Sequence, residues 1–484
     1  MKSKSLDVLS KAFAVLCGFY LLVYLSIYLT GSLFYFGEAI SYEGLMRTLH
    51  GMPFASAPEE IPLSLTPYTP LFLLPLMGIG KLFSITQIET VTVVARLFQT
   101  GLLGTLFWVL NNMRKRYFAE LSSGWSFFWV LLPIFFYSPP MEMGLRPDTI
   151  SFLFEALSVC TILHFLQKLE KRYVFYAATL AGLAVATKLN TLGAAVGIMI
   201  FCYFFLDLEK YGFFAAPMVG TAIIVLSLQY QVIGEALPDN IFTSIQSSIL
   251  SLGEGVKIYS KFFDLFIFPL SYYLFLILFG LASFPPKKEK KLFVLVLSLS
   301  FMFALLGQMK WGAFHNYFLG FIYLGLIPAS IGFNQLLENR TQAQKTGIFL
   351  FHFLYISLLI ARGTAGPVKI WQDRKYFAEL KNIRELIQQK APKGYLYTND
   401  EKLHLAFAHR TAIGVLSQEL LQVTPKLQKR IPVIQKKLES LPPYSAYIFK
   451  CSALDSGAVG GLFINLEDVK KRTRIQTGEY CLLY

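Results

Sequence analysis

Long apolar runs separated by short polar loops organise this chain. The first, from about Ala12 to Phe34, carries no charge, and at a rise of about 1.5 Å per residue it can cross the ~30 Å hydrocarbon core of a bilayer. Further runs of helical length follow at approximately Thr90 to Leu110, Ser122 to Tyr137, Thr149 to Leu166, Tyr173 to Thr187, Thr191 to Leu206 and Tyr211 to Leu228. Four more lie at about Phe262 to Phe284, Leu292 to Leu306, Phe314 to Phe333 and Thr346 to Ala361. The pattern predicts about eleven membrane helices. The run Pro67 to Gly80 is different, because Pro67, Pro70, Pro75, Gly78 and Gly80 interrupt it. Proline and glycine in that density predict a broken interfacial or re-entrant helix, so the first loop extends to about Gln87. Between Gln229 and Lys261, Ile241 to Leu252 is amphipathic and predicts a helix lying on the membrane surface.

The basic residues fix an orientation. Lys2, Lys4 and Lys11 precede the first run, and Arg114, Lys115, Arg116, Lys168, Lys171, Arg172, Lys210, Lys287, Lys288, Lys290, Lys291, Arg340 and Lys345 then fall on the same side. The positive-inside rule predicts a cytoplasmic N-terminus. An odd number of crossings then places everything after residue 361 outside. That part is charged and mixed, with helical patterns at Asp373 to Gln389 and Gln418 to Leu441 and short β-like runs at Gly394 to Thr398, Tyr444 to Lys450 and Tyr480 to Tyr484. The expected architecture is an α-helical polytopic membrane domain, residues 1–361, followed by a small extracytoplasmic α/β domain, residues 362–484.

Composition agrees: 55% of residues are hydrophobic, 15% are charged and the mean hydropathy is +0.51, too apolar for a soluble globular protein. The net charge of +14 belongs to loop topology and anionic headgroups, so it does not imply nucleic acid. The five cysteines show no CxxC or Cys/His ligand spacing, and a structural zinc site is not supported. Cys17, Cys160 and Cys202 fall in apolar runs as packing residues, whereas Cys451 and Cys481 can pair if their domain is exported. The first run is long and lacks a small-residue cleavage site, so it reads as a retained anchor. HExxH, Walker A, strand-following GxGxxG and GxSxG patterns are absent, no internal repeat is evident, and no cofactor is indicated.

The candidate chemistry lies in polar residues predicted for the exported face. Glu38 follows the first span within a few residues, beside low-dielectric walls that can tune a carboxylate. Leu145-Arg-Pro-Asp-Thr149 supplies Arg146 and Asp148, with Glu155 seven residues on along the same helical face. Thr187-Lys-Leu-Asn-Thr191 supplies Lys188 and Asn190, and Lys310-Trp-Gly-Ala-Phe-His-Asn-Tyr317 supplies Lys310, His315, Asn316 and Tyr317. Arg96 lies a turn and a half inside its span. Lys188, Arg146, Lys310 and Arg96 can attract a phosphate, with Glu38 or Asp148 as the acid/base group. The plain alternatives are snorkelling lysines, a local Arg146–Asp148 pair, and Glu43 on a solvated helix face paired with Arg47 four residues on. His50 and His315 read as loop or helix-end residues, and His164 and His352 as packing.

Taken in order, these segments resemble the polytopic GT-C glycosyltransferases, especially bacterial relatives of the protein O-mannosyltransferases and the lipid A aminoarabinose transferases. The matching elements are Glu38 with Gly51 thirteen residues on, then Tyr68-Thr-Pro-Leu71, Arg146-Pro-Asp148, Ala186-Thr-Lys-Leu-Asn190 and Gly312-Ala-Phe-His-Asn-Tyr-Phe318. Many relatives carry Asp-Glu where this chain has Gly37-Glu38, so Glu38 would have to substitute. The resemblance implies sugar transfer from a polyprenyl-phosphate donor to a lipid, glycan or protein acceptor outside the bacterial cytoplasmic membrane, by an inverting single displacement. Glu38 would be the base or orient the acceptor, and Asp148 would contact a substrate hydroxyl. Lys188, Arg146 and Lys310 would hold phosphate, Arg96 and Tyr68 would join the substrate contacts, and His315, Asn316 and Tyr317 would line the sugar pocket. A divalent metal is left open. Two rival readings are a lipid or glycan transporter, with polar residues through the membrane depth, and a non-catalytic envelope-assembly subunit, in which Glu38 would tolerate substitution.

Overall fold

The computed structural model describes residues 2–30, 36–56, 60–64, 69–137, 144–206, 208–234, 236–238, 270–307, 315–338, 340–363, 375–414, 417–418, 421, 428–456, 463–464 and 466–484. Every predicted span has a helix: α1 (Lys2–Thr30), α4 (Ile88–Tyr117), α5 (Gly124–Tyr137), α6 (Asp148–Lys168), α7 (Lys171–Thr187), α8 (Leu192–Phe205) and α9 (Leu208–Ile233). The rest are α10 (Ser271–Ser283), α11 (Lys288–Gly307), α12 (Leu319–Leu337) and α13 (Gln342–Gly363). Seven of the described helices are long and apolar enough to cross a membrane, while α5, α8 and α10 are apolar but shorter. Between α1 and α4 lie α2 (Phe36–Leu49), a 3₁₀ turn Pro70–Leu73 and α3 (Leu74–Leu82). The proline-rich run is therefore a short helical segment, at about 1.5 Å per residue too short to cross. The predicted surface helix at Ile241 to Leu252 lies outside the described residues.

Burial separates centre from periphery. In α12, 83% of the apolar window is buried, against 17% in α1 and in α9, so α12 is the axis around which the bundle packs. It lies against α10, α5 and α11. Gly280 and Gly332 allow the α10 contact: a Cβ on Gly280 would sit 1.7 Å from the Pro328 carbonyl oxygen, and one on Gly332 2.3 Å from that of Leu276. Small residues let helix backbones approach closely where lipid offers no hydrophobic drive. In the other direction α6 packs on α7 and α4, α9 on α7, and α11 on α8. Val15, Leu16, Phe19 and Leu22 on α1, and Leu350, Leu354 and Leu358 on α13, stay exposed, an outward apolar surface suited to lipid.

After α13 come α14 (Tyr376–Lys390), β1 (Leu396–Thr398), α15 (Glu401–Ala406), α16 (Ile431–Glu439), β2 (Ala446–Lys450), β3 (Arg474–Thr477) and β4 (Tyr480–Leu483). The sheet order is β1-β2-β4-β3, parallel at β1–β2 and antiparallel elsewhere. Cys451 and Cys481 are joined by a disulfide, and Cys481 pairs with Phe449 across the β2–β4 ladder. The β-like runs at 394–398, 444–450 and 480–484 contain β1, β2 and β4. β3 was not anticipated, because Arg474-Ile-Gln-Thr477 is a polar edge strand with only Ile475 apolar.

The α/β part sits directly on α2. One hydrophobic cluster joins Ala39, Tyr42 and Met46 of α2 and Leu73 and Leu76 with Leu380, Leu403, Phe407 and Ile448. Leu63 bridges to Ile413, and Arg384 pairs with Glu89 at 2.6 Å. This corrects the expectation of a solvated α2 face. Glu43 and Arg47 are each 2% exposed. Glu43 Oε2 lies 3.3 Å from His404 Nε2, and the rings of His50 and His409 stack 3.9 Å apart. His352 is buried and hydrogen-bonds the Trp129 carbonyl, while the half-buried His164 pairs with the Tyr117 hydroxyl.

Candidate active site

Helix ends position the charged residues. Glu38 is in the first turn of α2 and Asp148 opens α6, so each carboxylate meets the positive end of a helix dipole. Lys188 is the extended residue that ends α7, where the dipole favours a cation. Pro147, with φ −67°, is already set for the helical turn that follows it.

Glu38 and Arg96 are both fully buried and face each other. Arg96 Nε donates to Glu38 Oε1 at 3.1 Å and Nη2 reaches Oε2 at 3.5 Å. Its Nη1 donates to the Tyr28 carbonyl at 2.6 Å, and the guanidinium lies 4.3 Å over the Tyr28 ring. Tyr28 completes the enclosure by donating its hydroxyl to Glu38 Oε1 at 3.2 Å, and the Leu145 amide donates to the same oxygen at 3.4 Å. Arg96 is thus directed at Glu38. A lone carboxylate in such a place would be very costly, and the guanidinium offsets that cost.

The Leu145 contact leads to the second charged pair. Three residues on, Asp148 Oδ1 is bonded to Lys188 Nζ, so the aspartate takes its ion pair from Lys188 and not from Arg146. Arg146 is buried, stands near enough to Lys188 to act on it electrostatically, and its Nε has no hydrogen-bond partner among the described residues. Lys188 Nζ lies 5.6 Å from the Tyr317 ring centroid. Thr69 Oγ1 donates to the carbonyls of Ala186 and Thr187, both at 3.3 Å, bringing the Thr-Pro-Leu segment to the Lys188 turn.

Four segments far apart in sequence therefore meet: the start of α2, residues 145–148, the Lys188 turn and the 3₁₀ turn His315–Phe318 that leads into α12. His315 and Asn316 belong to that last turn, while Lys310 and Tyr68 lie outside the described residues. Near the Lys188 turn, the Asn190 amide atoms are buried and unpaired. Deeper in α6, Glu155 is buried with neither oxygen hydrogen-bonded; Gly320 makes the room, since a Cβ there would lie 3.0 Å from Oε2. Sequence reasoning missed Tyr28. Its only signal was the spacing Tyr20, Tyr24, Tyr28, which puts a row of phenols on one face of an apolar helix. Among the described residues no three His, Cys, Asp or Glu side chains gather as metal ligands would.

No family model matches the chain, and no curated protein matches it in sequence. Its structure is similar to that of ArnT from Cupriavidus metallidurans bound to undecaprenyl phosphate, with a TM-score of 0.62 at 11% identity over 98% of this chain and 97% of that one. The same protein in the apo state gives a TM-score of 0.61 at 11% identity, over 98% of each chain. The chain shares the fold of these two structures. With that fold and its apolar helices it is an integral membrane protein. The coverage extends the likeness across the helical bundle and the C-terminal sheet together.

Proposed function

We propose that this chain moves a sugar from a polyprenyl-phosphate donor to an acceptor at the extracytoplasmic face of a bacterial cytoplasmic membrane, by an inverting single displacement. The observation that carries the proposal is the charge balance at the convergence point. Glu38 and Arg96 offset each other, as do Asp148 and Lys188, which leaves Arg146 as surplus buried positive charge with an unpaired Nε. An anion satisfies such a site, and the similar ArnT structure is bound to undecaprenyl phosphate.

In the reaction, an acceptor hydroxyl oxygen bonds to the anomeric carbon while the bond from that carbon to phosphate breaks. The leaving phosphate keeps the electron pair, and Arg146 and Lys188 stabilise its charge. The hydroxyl proton goes to Glu38 through Oε2, which among the described residues carries only the long Arg96 contact. Asp148 holds Lys188 in place and faces the sugar with Tyr317. Export of the C-terminal part is supported by the Cys451–Cys481 disulfide, since such bonds persist in oxidising compartments. A second reading, with Asp148 as the base, is favoured by the complete burial of Glu38.

The test is the chain reconstituted in liposomes with labelled polyprenyl-phosphate hexoses and pentoses. Glu38→Gln is expected to lower turnover by about 10²- to 10⁴-fold, the range for loss of a general base, with polyprenyl phosphate binding retained. Lys188→Ala is expected to weaken that binding at least tenfold. Unchanged lipid-phosphate affinity in Lys188→Ala would remove the phosphate assignment, and a larger loss in Asp148→Asn than in Glu38→Gln would transfer the base role to Asp148.

A further inference from the structure

Arg114 is a buried cation that, among the described residues, no carboxylate neutralises, and it stands far from the proposed transfer site. Eighteen residues separate it from Arg96, about 27 Å along α4, so it lies at the opposite membrane boundary. Only 6% of it is exposed. Nε donates to Asn111 Oδ1 at 3.0 Å and Nη1 donates to the Ser122 carbonyl, whereas Nη2 makes no hydrogen bond to any described residue. Glu120, the carboxylate of the loop that follows, is exposed and forms no ion pair with it.

The start of α5 meets this guanidinium. Ser123 caps the helix, its Oγ accepting from the Ser126 amide at 3.0 Å, which leaves the Gly124 and Trp125 amides as the open donors of the first turn. A Cβ on Gly124 would lie 3.5 Å from Arg114 Nη2 and near no other group from elsewhere in the chain, so Nη2 and the helix start share one open, exposed mouth. Both sides of it are held in place: Ser122 Oγ donates to Ser330 Oγ at 2.8 Å, and Ser126 Oγ donates to Asn334 Oδ1 at 3.1 Å, each partner on α12. Trp125 at the mouth is 40% exposed and Trp108, six residues before Arg114, is 64% exposed. Exposed indoles mark this level of the bundle as the headgroup region.

We propose that the mouth binds the phosphate of an anionic membrane phospholipid, whose oxygens accept from Arg114 Nη2 and from the Gly124 and Trp125 amides. A guanidinium and a capped helix start both favour a phosphate oxygen, and here they face the same space. The two indoles favour a lipid over a free anion. Lys115 and Arg116, exposed beside Arg114, outnumber Glu120 and favour a lipid with net negative charge. The site does not depend on the transferase reading.

The full chain in phosphatidylcholine nanodiscs is titrated with phosphatidylglycerol, and hydrogen exchange of residues 117–126 reports this site apart from the other basic loops. Saturable slowing of exchange is expected with phosphatidylglycerol, and none with inorganic phosphate. Arg114→Gln is expected to weaken the lipid by about tenfold or more, the least that a charge-assisted hydrogen bond supplies. Because Arg114 also holds its loop, the decisive variant is Gly124→Asp, which keeps the guanidinium and sets a carboxylate against it. Its exchange is expected to be slow in phosphatidylcholine alone and indifferent to phosphatidylglycerol. Equal slowing by inorganic phosphate overturns the lipid assignment. Exchange that is the same in the two lipids, or a full phosphatidylglycerol effect in Gly124→Asp, overturns the site.

Discussion

Arg96 and Glu38 illustrate how a charge in a membrane helix is made tolerable. Two residues from elements 58 positions apart meet with no solvent contact, and a phenol, a carbonyl and a backbone amide complete their hydrogen bonding. Breaking such a pair from one side leaves an uncompensated buried charge, which costs about 3 to 5 kcal/mol, whereas replacing both partners removes most of that penalty. Arg96→Met is therefore expected to lower thermal stability sharply, and Glu38→Gln with Arg96→Met to recover much of the loss. A thermal-melt double-mutant cycle in detergent measures this. Additive losses in the two single variants would show that the residues are not coupled.

Among the elements, the α10–α12 contact depends most on a single residue. Gly280 lies against the backbone carbonyl of Pro328, which cannot rotate away as a side chain could. A small-to-large change in a packed interior typically costs about 1 to 3 kcal/mol, and the backbone obstacle puts Gly280→Val at or above the top of that range. Its expected outcome is a lower melting temperature by fluorescence-detected size exclusion. A neighbouring change at the outward-facing Leu278 is expected to have little effect, because that side chain already lies exposed on the bundle surface. α2 is the other decisive element. Glu38 and Glu43 are five residues apart, about 140° around the helix, so one short helix faces the charged pair with Arg96 on one side and His404 on the other.

For the molecule as a whole, the seam between α2 and the α/β part is where pH should act. Burial, reinforced by His50, Arg410 and Arg384, pulls the His409 pKa down from 6.5 to about 4. A histidine depressed in this way is neutral in the folded protein, so its contribution to stability is fully present above about pH 6.5 and is lost as pH falls through about 4. Glu43 acts in the same direction. Burial raises its pKa, but His404 and Arg47 outweigh burial and hold it below the ordinary 4.5, so its contribution also disappears on acidification. Hydrogen exchange of residues 401–414, corrected for intrinsic rates, is expected to accelerate between pH 6.5 and pH 4. His409→Gln is expected to flatten the upper part of that window. Exchange that stays constant through the window would remove the seam as a pH-sensitive contact.

The apolar runs determined the spans, because a ~30 Å hydrocarbon layer imposes a length and a composition that can be read locally. The Pro67–Gly80 segment was readable as non-spanning for the same reason, and the short apolar runs within 444–450 and 480–484 as strands. Arg146, Asp148 and Lys188 were legible as candidates because charges beside apolar runs stand out, and their order along the chain carried the resemblance. Their partners were not legible. Which cation meets which carboxylate depends on how α2, α4, α6 and α7 pack, and that packing placed Arg96 on Glu38 and Lys188 on Asp148. Glu43 read as a solvated position because periodicity describes one helix in isolation. Only the α/β part folding back onto α2 turned that face into an interior.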